Sequence, residues 1–195
     1  SLPILRALAK DKPVGMFQFD SHSDTWDTYF GGFKYTHGTP FRRAIEENLI
    51  DPKKYVILGL RGGLYDPDDL KWAIEQGITI ISTDKFYEIG MRETIAIVKD
   101  VLGDTATYFT FDIDGIDPTF APGTGTPEVG GINVREAQLI IRKLNSLNFI
   151  GADVVEVSPP FDVNNMTSLV GATIAFEILC TMTKTNKWLK IQKNI

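Results

Sequence analysis

The chain has 195 residues, 43% of them hydrophobic and 23% charged, which suits a single globular domain with a buried core. A formal net charge of -5 argues against a nucleic-acid partner, because phosphate binding needs a clustered excess of Lys and Arg. The single cysteine, Cys180, excludes an intramolecular disulfide; its apolar surroundings predict a buried structural thiol and a reducing, cytoplasmic setting.

In chain order, helix and strand alternate. Residues 2–10 read as a helix that begins in mid-architecture, so a natural N-terminal part is expected ahead of Ser1, and no signal peptide is evident. Residues 14–19, behind Pro13, form an apolar run that predicts a buried strand ending at Asp20. A helical pattern covers 40–50, with Thr39 as N-cap and Pro40 in the first helical position. Residues 55–60 read as the next strand. Asp66 and Pro67 open a helix with Leu70, Ala73 and Ile74 on one face, stopped by Gly77. Residues 78–81 are strand-like, 93–102 helical, and 106–111 a strand that runs into an acidic cluster.

Asn133 and Glu136 have the spacing of a capping box, and the helix behind them aligns Val134, Ala137, Ile140, Ile141 and Leu144 on one stripe. Residues 149–157 read as a strand and 167–183 as a final helix. The apolar stretch 166–182 holds Gly171, Glu177 and several threonines, which predicts a buried helix and not a membrane span. The alternation implies one α/β domain, its sheet mainly parallel and covered on both faces. Ligands in such sheets bind beyond the carboxyl ends of the strands. Asp20, His22 and Asp24 follow one strand, Asp112, Asp114 and Asp117 another, and Glu156 ends a third.

Two clusters carry the chemistry, FDSHSD at 19–24 and FDIDGIDP at 111–118. Residues at i, i+2 and i+4 of extended backbone share a face, so each cluster aims its acids one way. If the two strand tips are neighbours, Asp20, Asp24, Asp112 and Asp114 converge with the His22 imidazole. Four carboxylates in one crevice repel and drive some pKa values up unless cations neutralise them. Two divalent ions balance four negative charges. Ligation dominated by oxygen, with one imidazole, suits Mn²⁺ better than Zn²⁺, and a water between two ions roughly 3.5–4 Å apart is acidified into a nucleophile. An EF-hand reading fails, because Ile116 and Asp117 stand where a third ligand and a glycine are required. Asp117, before Pro118, opens a turn. The glycine-rich stretch 123–127 has no Walker lysine, which argues against a phosphate cradle.

The motifs FDSHSDTWD, YTHGTPFRRA, FDIDGIDPTFAPGTGTP and DVVEVSPPFD, in that order, resemble the agmatinase and guanidinobutyrase branch of the ureohydrolases, relatives of arginase, over residues 2–183. The resemblance implies a three-layer α/β/α sandwich, two Mn²⁺ ions, and commonly a homotrimer or homohexamer. It implies that Asp20, Asp24 and Asp112 hold the first manganese and Asp20, His22, Asp112 and Asp114 the second, with Asp20 and Asp112 bridging. The family usually reads DAHxD, and Ser21 and Ser23 stand here at positions that are not ligands. A family histidine from a GGDH-like motif, which completes the first site, is expected upstream of Ser1.

By the same resemblance, His37 passes a proton to the leaving amine, work for which an imidazole is suited near neutral pH. Glu156, expected to be buried at its strand end, grips the substrate guanidinium by two-point pairing. Thr126 helps position that group by a hydrogen bond, and Asp114 contacts the nucleophile. The implied reaction splits a linear guanidino compound into urea and an amine. Agmatine is the leading substrate, guanidinobutyrate and guanidinopropionate the alternatives, and stretches 27–34 and 61–65 are candidate contacts for the substrate tail. Two other classes compete: a non-catalytic metal-binding scaffold, favoured only by the histidine expected upstream, and a single-zinc deacetylase on the same fold, disfavoured by the second acidic cluster.

Overall fold

The computed structural model describes residues 1–183 of the chain. Five strands, β1 (Val14–Phe19), β2 (Ile50–Leu60), β3 (Thr79–Ser82), β4 (Thr107–Asp112) and β5 (Phe149–Val155), build one sheet. Their order is β3-β2-β1-β4-β5, and every neighbouring pair is parallel. The helices are α1 (Leu2–Leu8), α2 (Pro40–Glu46), α3 (Lys71–Gln76), α4 (Thr83–Leu102), α5 (Val134–Lys143) and α6 (Met166–Thr183).

The period-2 alternation of the strands sorts the core into two. Met16, Tyr55, Ile57 and Tyr108 point to one face and pack with Leu5 of α1, Phe41 of α2 and Ala73 of α3. Phe17, Phe19, Val56, Leu58, Phe109 and Phe111 point to the other and pack with Val98 of α4, Ile140 of α5 and Ile174 of α6. The result is the expected α/β/α sandwich. All six residues of β1 are buried, as a central parallel strand covered on both faces demands.

Chain order explains where the site falls. From β1 the chain steps outward to β2 and β3, then returns to the other side of β1 for β4 and β5. The direction reverses between β1 and β4, so their carboxyl ends flank the crevice where such sheets bind ligands. Phe19 pairs with Phe111 in register, and their rings stack at 4.4 Å. The next residues on the two strands are Asp20 and Asp112.

Several expected boundaries move. The helix predicted over 40–50 ends at Glu46, because Asn48 turns left-handed (φ 57°) and Ile50 already opens β2. Thr39 sits at the N-cap, but its hydroxyl donates to the Lys34 carbonyl and does not cap the helix. The helix expected at Asp66 starts at Lys71; the Asp69 carboxylate accepts from the Tyr65 and Asp66 amides and holds 65–69 as a turn. The helix expected from 93 begins at Thr83 and kinks at Gly90. The capping box of Asn133 and Glu136 forms in both directions.

Helix α6 departs most from expectation. It is long and apolar enough to cross a membrane by length and composition, yet one face packs on the domain, and only 33% of the span is buried. Val170, Ile174 and Ile178 face the core, while Leu169, Phe176 and Leu179 are exposed. Cys180, expected to be buried, is half-exposed on this helix.

Candidate metal centre and catalytic site

The two strand tips bring their side chains together. One ligand atom each from Asp20, His22 and Asp114 lies within 4.8 Å of the others, and Asp24, Asp112 and Glu156 line the same crevice. Asp20, Asp112 and Asp114 are buried. Asp24 (φ 52°) and Glu156 (φ 63°) both hold left-handed backbone, a conformation costly for residues with a side chain and concentrated at functional sites.

Local hydrogen bonds fix each carboxylate. Asp20 accepts from the His22 amide at 2.7 Å and from Gln18 Nε2 at 2.7 Å; Gln18 in turn accepts from the buried Tyr55 hydroxyl. Asp112 accepts from the Asp114 amide at 2.9 Å. Asp114 accepts from Ser21 Oγ at 2.7 Å and from Thr126 Oγ1 at 3.2 Å. His22 Nδ1 lies 3.1 Å from Asp114 and 3.7 Å from Asp20. Ser21 is therefore not idle: it ties the first motif to the second.

Burial and mutual repulsion set the protonation of the cluster. Burial, reinforced by Asp112, Asp24 and Asp114, pushes the Asp20 carboxyl well up; burial and Asp114 do the same to Asp112. Burial pushes Asp24 up to about 8, with His22 opposing and Asp114 and Glu156 adding. Asp114 alone moves down, held against its burial by the hydrogen bond and charge of His22 and by Ser21. One imidazole cannot offset four converging carboxylates. Hard divalent cations can, and the donor set, oxygens with a single imidazole, fits Mn²⁺.

A cavity of about 380 Å³ is lined by His22, Asp24, Asp112, Asp114, Thr126 and Glu156 together with Trp26, Tyr29, His37, Leu64 and Tyr65. Of these, Asp112 and Asp114 are buried, while His37, Leu64 and Tyr65 are exposed and mark its mouth. The Tyr29 and Tyr65 hydroxyls meet at 3.1 Å, and the exposed His37 ring stands edge-on to Tyr29 at 5.3 Å. All the candidate catalytic, substrate and metal residues but Asp20 line this cavity, and Asp20 lines an adjoining one that shares Asp24, His37, Asp112 and Glu156 with it.

Three expectations change. Glu156 is exposed, because β5 ends at Val155 and the left-handed turn lifts the carboxylate off the strand. Arg61 is no tail contact: its guanidinium donates to the carbonyls of Gly59, Asp114, Gly115 and Glu128. Asp27 turns to Arg43 at 2.9 Å. Asp117 is the turn residue it was expected to be, accepting from the Thr119 and Gly131 amides.

Sequence reasoning missed Gln18, whose signal was a polar residue inside an apolar strand, and Glu128. Glu128 lines the cavity and stands 3.6 Å from His22 Nε2. Of the aromatic lining, Tyr29 and Tyr65 fall within the two stretches expected to meet the tail, and Trp26 falls just outside them.

Sheet order, switch-point crevice and donor set define a parallel α/β domain carrying a carboxylate-rich candidate metal site. Residues 1–181 match the model of the arginase family, and the chain belongs to that family. It is 56% identical to the guanidinopropionase of Pseudomonas aeruginosa over 93% of this chain and 57% of that protein, and 42% identical to the mitochondrial agmatinase of Gallus gallus over 92% and 53%. Among solved structures, the proclavaminate amidinohydrolase of Streptomyces clavuligerus superposes with a TM-score of 0.89 at 39% identity, covering 94% of this chain and 61% of that one. The chain thus spans a little over half the length of these relatives.

Proposed function

We propose that the whole protein is a dimanganese guanidino hydrolase that releases urea and an amine from a short linear substrate. The observation that carries this reading is the convergence of Asp20, His22 and Asp114 at the carboxyl ends of β1 and β4, with Asp24 and Asp112 beside them. Asp20, His22, Asp24, Asp112 and Asp114 would hold the ions. When bound, a pair of divalent ions lowers the pKa of water enough to supply a nucleophile at neutral pH.

The chain's own residues do the rest. The exposed Glu156 carboxylate, at the crevice edge, pairs with the planar guanidinium and turns its carbon toward the acids. Thr126, fixed by its hydrogen bond to Asp114, donates its position to the same task. His37, exposed beside Tyr29, delivers a proton to the departing amine. Trp26 and the Tyr29–Tyr65 pair enclose the tail and exclude water from it.

For the tail, the first reading is a short guanidino acid, supported by the higher identity to guanidinopropionase than to agmatinase and by the phenol O–H donors at the mouth. Agmatine is the second reading, favoured by the cavity lining, which contains no Lys or Arg among the described residues. Urea release by the full-length, Mn²⁺-loaded protein from 3-guanidinopropionate, 4-guanidinobutyrate and agmatine ranks them by kcat/KM. D112A is expected to abolish release from all three; retained activity in D112A would refute the proposed chemistry.

A further inference from the structure

His22 offers two ring nitrogens, and the structure gives each a different neighbour. Nδ1 faces the acids, 3.1 Å from Asp114 and 3.7 Å from Asp20. Nε2 faces the other way, 3.6 Å from the carboxylate of Glu128. A histidine that gives one nitrogen to a metal is normally turned and held by an acceptor at the other, and that acceptor also raises the basicity of the ligating atom. We propose that Glu128 is the positioning residue for His22, holding the ring through Nε2 so that Nδ1 stays directed at the carboxylate cluster.

The support around Glu128 is built for this. Its own carbonyl accepts from Arg61 at 2.7 Å and 3.1 Å. The same guanidinium donates to the carbonyl of Asp114 at 2.8 Å. One half-buried cation therefore fixes the backbone of Glu128 relative to the strand tip that carries Asp114. Two residues earlier, Thr126 Oγ1 touches the Asp114 carboxylate, so the 126–128 segment braces both cluster residues that contact each other. The ring also has a floor: a Cβ on Gly62 would stand 2.5 Å from His22 Cδ2. Glu128 is left to control the ring's outer edge.

The inference rests on the proposed metal reading, and one experiment separates the two. Mn²⁺ alone is titrated into the full-length protein and its E128Q and E128A variants, with free ion followed by its paramagnetic resonance signal, and melting is recorded in chelator. Both variants are expected to bind Mn²⁺ about 10–100-fold more weakly while the metal-free melting temperature stays within about 2 °C of the parent. E128Q preserves shape, so a purely structural role leaves it binding like the parent; that result overturns the assignment and leaves the metal reading intact. Parental Mn²⁺ affinity in E128Q with a raised KM for the guanidino substrate also overturns it, making Glu128 a substrate contact. A parent protein that takes up no Mn²⁺ overturns both readings.

Discussion

Asp20, Asp24 and Asp112 hold their protons more tightly in the folded chain than in the unfolded one, mainly because burial disfavours the charged form. A carboxyl with a raised folded pKa makes the native state bind more protons than the unfolded state, so stability falls as pH rises from the unfolded value toward the folded one. For Asp24 that window runs from 3.8 to about 8. The metal-free protein should therefore lose stability across this window in urea denaturation with chelator, and D112N should be more stable than the parent there. A metal-free profile that rises with pH would contradict the account. The floor under His22 gives a second expectation at this scale. G62A forces the ring aside and should weaken Mn²⁺ binding more than about tenfold without loss of fold by circular dichroism.

Some local signals behaved as read and others lost to competing hydrogen bonds, such as the Thr39 hydroxyl drawn to the Lys34 carbonyl. The capping box of Asn133 was legible because its two hydrogen bonds are local; N133A should cost about 1 kcal/mol in chemical denaturation. The early start of α4 was hidden, because residues 83–91 mix charged and apolar side chains without a clear stripe and break at Gly90. That glycine adopts φ 78° and ψ 164°, a region nearly closed to other residues, so G90A should cost about 1–3 kcal/mol. Wild-type stability in G90A would show that α4 runs straight. The opening of β2 was hidden too: Pro52, Lys53 and Lys54 look unlike a central strand, and only pairing with β1 extends it. Helix α6 was read as buried from composition alone, yet composition cannot say which side of an apolar helix has a neighbour, and Phe176 and Leu179 face outward.

For the whole molecule, the acids of the site were legible because their spacing is local to each strand tip, whereas their meeting depends on the register of β1 against β4. That register, Phe19 against Phe111, links residues about ninety positions apart and leaves no trace in either motif. Glu128 was hidden for the same reason: it reaches the crevice through a loop whose course follows from the Arg61 carbonyl web, whereas Tyr29 and Tyr65 fell within the stretches expected to meet the tail. On the proposed reading, this meeting of strand tips holds a pair of divalent cations. Equilibrium dialysis of the full-length protein against Mn²⁺, with bound metal counted by elemental analysis, tests it most directly. Two ions per chain are predicted, with fewer retained by D20N and D112N. Unchanged metal content in both variants, or none in the parent, would contradict the account.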